Sequence, residues 1–181
     1  MKLYAACLAS YNSGILHGAW IDASSDVDAM QDAINTMLRA SPCPNVTVTH
    51  DGAEVPSAEE YAIHDYDDFP NMGEYPALSD VAAYVELVED HSEIDEGDLK
   101  AIMDDFKTVA DASEALADKF AGIYDTFRDY ADEVADETLA AHDIKDDSPL
   151  ARYFDYEAFA RDLAFDMNVI DCPSGVAVFY A

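Results

Sequence analysis

The stretch IYDTFRDYADEVADET, residues 123–138, decides how the chain is read. Its apolar residues Ile123, Phe127, Tyr130 and Val134 recur at intervals of four, three and four, which places them on one narrow stripe of an α-helix. Asp125, Asp129, Asp132 and Asp136 repeat those intervals two positions later and, at about 100° per residue, fall nearly opposite. A helix over 123–138 with a buried seam and a carboxylate ridge is expected. Acids four apart rise about 6 Å per step, comparable with successive phosphates along a strand. Like charges so placed weaken a helix by about 0.2–0.5 kcal/mol per pair, and only Arg128 opposes them here.

Outward from this helix the pattern stays helical toward the N-terminus. Ser79 caps a helix to about residue 90, a second spans about 96–109, and Ser113 caps a third to about 121. The acidic bias continues at Asp104, Asp105, Asp111, Glu114 and Asp118. On the other side, Asp143, Asp146, Asp147 and Pro149 mark a loop before a helix over 155–165. A closing hairpin of residues 168–171 and 176–180 turns at Pro173, Ser174 and Gly175. Residues 3–9 and 15–22 read as a hairpin about Tyr11, Asn12, Ser13 and Gly14. Ser25 caps a helix over 26–39 whose Val27, Met30, Ile34, Met37 and Leu38 keep helical spacing. Strands 46–49 and 61–66, separated by Asp51, Gly52 and Pro56, complete a small α+β unit over 1–68.

Composition sets the function class. The 181 residues carry 39 acids against nine bases, a formal charge of −30, yet half are apolar and 11% aromatic. That is too hydrophobic for a disordered chain. Residues 61–137 hold 23 acids and four bases, more than an even coating of an acidic, salt-adapted surface would put there. Duplex DNA carries one charge per about 1.7 Å, so thirty charges match roughly fifteen base pairs. Such a surface repels nucleic acid and attracts proteins built to hold it, and nine dispersed bases exclude direct nucleic-acid binding.

Catalysis is not expected. There is no nucleophile elbow, phosphate loop or dinucleotide glycine pattern. His64, Asp65, Asp67 and Asp68 lack a second histidine at ligand spacing. As a calcium loop from Asp65 they place Pro70 where glycine is needed and Pro76 where a bidentate acid is needed. His91 with Glu93 does not make HExxH. No metal or other cofactor is expected. Cys7, Cys43 and Cys172 are scattered and read as reduced, mostly buried thiols. Without a signal-peptide pattern or an apolar run of about twenty residues, a soluble cytoplasmic protein with no membrane partner is expected.

Four blocks then stand out in series: AACLASYNSGILHGAWID at 5–22, EEYAIHDYDDF at 59–69, KFAGIYDTFRDYADEVADE at 119–137 and ARYFDYEAFARDL at 151–163. Together they span most of the chain, and it resembles the ArdA-type antirestriction proteins. The resemblance implies an α+β fold in an elongated chain of three small units. These are an N-terminal sheet plus helix over 1–68, an acidic helical middle unit over 69–121, and C-terminal helices plus hairpin over 122–181 that make the dimer contact. It implies a non-catalytic homodimer carried by a mobile genetic element, a DNA mimic that blocks the methyltransferase core of type I restriction-modification enzymes. On this resemblance Asp125, Asp129, Asp132, Glu133 and Asp136 supply mimic charges, joined by the five upstream acids. Tyr153, Phe154, Tyr156 and Phe159, with Ala160 and Leu163, supply core packing and dimer interface, and His64 and Asp65 are structural. The alternative is an acidic adaptor or chaperone-like protein that binds basic DNA-binding proteins.

Overall fold

The computed structural model describes residues 1–144 and 148–181; Asp146 and Asp147, expected in a loop, lie outside the described residues. The chain forms two compact units, residues 1–91 and 92–181. The helices expected as a middle unit are shared between them.

In the first unit, β1 (Lys2–Cys7) buries Leu3, Ala5, Ala6 and Cys7. It is the central strand of an antiparallel sheet, between β2 (Gly18–Asp22) and β5 (Tyr61–Asp67). The link from β1 to β2 is not the expected plain turn but a short helix, α1 (Leu8–Asn12). Buried Ser10 on that helix bonds Ser41 Oγ at 2.9 Å, and Ser41 also meets the Cys7 thiol at 3.3 Å. A buried hydroxyl needs such a partner, and the helical turn brings Ser10 inward to reach it.

Helix α2 (Val27–Arg39) lays buried Met30, Ile34, Met37 and Leu38 on the sheet, in contact with β1 and β2. Its cap is Asp26, which accepts from Ala29 N–H at 3.0 Å, and not Ser25. A hairpin of β3 (Val46–His50) and β4 (Ala53–Ser57) turns at Asp51 and Gly52. Pro56 hides β4 from sequence reading, but a strand with a single neighbour tolerates a missing N–H. Helix α3 (Leu78–Asp90) packs on α2 and starts without a side-chain cap, so Ser79 is not its cap.

The second unit runs α4 (Glu96–Phe106), α5 (Val109–Asp118), β6 (Phe120–Tyr124), α6 (Phe127–Ala141), α7 (Tyr156–Leu163), β7 (Met167–Cys172) and β8 (Gly175–Tyr180). Strand β8 is central, with β6 and β7 antiparallel on either side. The helix expected over 123–138 is corrected at its start. Residues 120–124 are a strand, in which Ile123 faces Ala177 across the ladder and Gly122 sits at φ +144°, a backbone no helix contains. The buried seam survives downstream, where Tyr130 joins Met167 and Val178 in a core flanked by Phe127, Val134 and Leu163. The third helix is likewise capped by Thr108 rather than Ser113 and ends at Asp118. Of the thiols, all free, only Cys7 is fully buried.

Asp98 is the one buried acid among the described residues, 2% exposed in the first turn of α4. Its carboxylate accepts from Ser174 N–H at 3.1 Å and from the Ser174 hydroxyl, tying the β7–β8 turn to the helix. Asp98→Ala leaves those donors unmatched and is expected to cost about 2 kcal/mol, read as a lowered urea midpoint with unchanged slope. A larger loss than Ser174→Ala checks that the carboxylate is the hub; equal midpoints for Asp98→Ala and wild type would refute it.

Burial, the Tyr180 hydroxyl bond and the charges of Tyr180, Tyr124 and Glu137 push the Tyr130 phenol well above its ordinary value. Tyr124 is raised too, first by burial and then by Glu133, Tyr180 and Glu137. Since the folded values exceed the unfolded ones, their stabilisation is complete below about pH 10 and declines as pH rises beyond it. Alkaline melting of Tyr130→Phe should show a shallower decline than wild type above that pH.

Candidate functional site

All ten acids singled out in the sequence lie in the second unit. Asp104 and Asp105 end α4; Asp111, Glu114 and Asp118 line α5; Asp125 precedes α6; and Asp129, Asp132, Glu133 and Asp136 lie on it. Nine are exposed and Asp132 is half-buried. The helices turn these residues outward because their other faces are taken: α5 buries Val109, Ala112, Ala115 and Leu116, and α6 buries Tyr130, Ala131, Ala135 and Leu139. Both helices pack on β6.

The expected ridge of four acids on one helix becomes three, because Asp125 falls in the turn after β6. The loss is offset by a match between the two helices. Thr108, Asp111, Glu114 and Asp118 on α5 have the same spacing as Thr126, Asp129, Asp132 and Asp136 eighteen residues later. In each helix the first and last acids are seven residues apart, about 10 Å of rise.

Each set is anchored by its own cap. The Thr126 hydroxyl donates to Asp129 Oδ2 at 2.6 Å and accepts from Asp129 N–H at 3.3 Å. Thr108 and Asp111 do the same at 2.6 and 3.1 Å. Sequence reasoning missed both threonines, although Thr-x-x-Asp is a readable start signal. The acid in each first turn also meets the positive end of its helix.

Few of these charges are compensated. Asp104 pairs with Lys100 at 2.9 Å and Asp132 with Arg128 at 2.6 Å; the other eight have no ion pair among the described residues. Asp136 accepts from the Tyr156 hydroxyl at 2.6 Å, which links α6 to α7. Lys107, at φ 71°, turns its ammonium to the Asp104 carbonyl and closes α4. Such an array of unpaired carboxylates, held at fixed spacing on capped helices, suits cations displayed on another macromolecule.

Of the expected interface residues, Phe154 meets Tyr156 edge-on at 4.9 Å and lies 5.5 Å from Phe159, so Phe154 packs against both. Tyr153 is 86% exposed. Helix α7 buries none of its residues, although Leu163 reaches the Tyr130 core. Among the described residues no group of histidine, cysteine and acids is placed to hold a metal ion, and no helix is long and apolar enough to cross a membrane. His64 packs edge-on to Tyr11 at 5.1 Å, and Asp65 Oδ1 accepts from Tyr66 N–H.

No curated protein matches the chain. The family described as Antirestriction protein (ArdA) matches residues 3–178, nearly its whole length, and the chain belongs to the ArdA family of antirestriction proteins.

Proposed function

We propose that this protein is a DNA mimic that inhibits type I restriction-modification enzymes by filling the DNA-binding groove of their methyltransferase core. The observation that carries this reading is the pair of matched helices, α5 and α6, whose exposed acids mostly have no cation partner among the described residues. Lysines and arginines that hold phosphates find carboxylates instead, and because the contacts imitate backbone charge and not bases, inhibition is independent of DNA sequence. The protein needs no cofactor, binds no nucleic acid and acts in the cytoplasm. It works as a homodimer, with Tyr153 and the neighbouring aromatics Phe154, Tyr156 and Phe159 at the contact; an amphipathic α7 without a buried residue supports that placement.

Competition tests it. Purified protein is titrated against a type I methyltransferase bound to labelled duplex, at low and moderate salt. Displacement near one dimer per groove, weakening as salt rises, is the expected result. A folded protein that leaves the duplex bound refutes the mimic and favours the acidic adaptor.

A further inference from the structure

The first unit contains a pocket of about 530 Å³ whose walls include Leu8, Tyr11, Ile63, His64, Glu74 and Tyr75. That volume is within the usual range for a small-ligand pocket. Ile63 of β5 is 2% exposed and gives an apolar floor, while α1 supplies Leu8 and Tyr11. Ile63 N–H donates to the Glu74 carbonyl at 2.8 Å, which fixes the segment after β5 against the strand. Tyr11 stands edge-on to His64 at 84°, so the wall is preset.

Two features select the occupant. Tyr11 and Tyr75 are 54% and 70% exposed, leaving aromatic surface uncovered around a concave site. The unit is also strongly anionic, with sixteen acids and two bases in residues 1–91. Lys2 pairs with Asp22 at 3.3 Å and Arg39 bonds Thr36 at 2.9 Å, and Glu74 has no cation among the described residues. Two exposed tyrosines and a glutamate lining one pocket suit a guanidinium, which is planar, weakly hydrated and able both to stack and to pair with a carboxylate through two N–H groups. An ammonium is compact and more strongly hydrated.

We propose that this pocket receives an arginine side chain from the protein bound by the acidic surface, stacked on tyrosine and paired with Glu74. The identity of that protein rests on the function proposed above; the guanidinium preference does not. The test is an NMR titration of the whole protein with N-acetyl-arginine amide, following the Tyr11, His64 and Tyr75 ring resonances, with the citrulline and lysine analogues in parallel. Saturable shifts with arginine, none with citrulline and at least about fivefold weaker binding of lysine are expected. Glu74→Gln and Tyr75→Ala should each weaken arginine binding about three- to tenfold. Both side chains are exposed and the main-chain bond of Glu74 is retained, so the variants keep the fold. Equal binding of citrulline, or unchanged binding by Glu74→Gln, overturns the proposal. Arginine binding with variants that still displace duplex as wild type overturns the partner's use of the pocket. The titration contains no restriction enzyme, so its failure leaves the mimic standing, and failure of wild type to displace duplex overturns the mimic whatever the pocket binds.

Discussion

Replacing Asp105, Glu114, Asp118 and Glu133 together by their amides is expected to weaken inhibition of a type I methyltransferase by about 30- to 1,000-fold. The figure follows from about 0.5–1 kcal/mol for each interfacial charge pair, about 2–4 kcal/mol in all. These four acids are exposed and have no hydrogen bond or ion pair among the described residues, so their neutralisation removes charge without removing a structural contact. Folding should gain slightly, because Glu114 and Asp118 are like charges four apart on α5. The variant should also lose part of the salt dependence of inhibition. By contrast, Asp129→Asn alone removes one charge of many and should change inhibition less than about threefold, while an amide oxygen still serves the Thr126 cap. Undiminished inhibition by the quadruple variant would remove the helices from the binding surface. Loss of inhibition in a folded Asp129→Asn protein would replace the distributed array with a single critical contact.

The parts of this surface that sequence could disclose are those set by local spacing. The seam of α6 from Phe127 to Val134 was readable, and so was the final hairpin, because Pro173, Ser174 and Gly175 punctuate it within a few residues. The error at Ile123 arose because its stripe position is shared by a strand whose partner, Ala177, lies more than fifty residues away. Only Gly122, positioned where a helix would lose stability, hinted at the break. Asp98 could not be distinguished among 39 acids, since its burial depends on Ser174, also distant in sequence. The aromatic cluster of Phe154, Tyr156 and Phe159 was legible as a group that packs because the residues are near neighbours, but that Phe154 meets both of the other rings was not. The tyrosine pocket had no sequence signal: β1–β5 pairing is what brings α1 to the segment carrying Glu74.

Gly175→Ala should damage the second unit more than any other single change considered, by about 3–5 kcal/mol. Gly175 opens β8, the strand shared by both ladders of the sheet, at φ +148°. A Cβ there would sit 2.1 Å from the Tyr124 carbonyl oxygen and 3.1 Å from Asp125 Cα. Neither neighbour is a flexible side-chain end. They form the corner between β6 and the Thr126 cap, so relief by movement would disturb the strand and the start of α6 together. Gly52→Ala separates crowding from backbone conformation, since Gly52 also has positive φ, +77°, but nothing within 4 Å of its added Cβ. Strain alone should cost Gly52→Ala about 1–2 kcal/mol. In a unit of this size Gly175→Ala should lower the melting temperature by at least about 12 °C, and inhibition should disappear with the melting of the acidic helices. Similar melting of the two alanine variants would show that the β6–α6 corner yields to the methyl group, and that the placement of Asp125 and Asp129 does not depend on its close contact with β8.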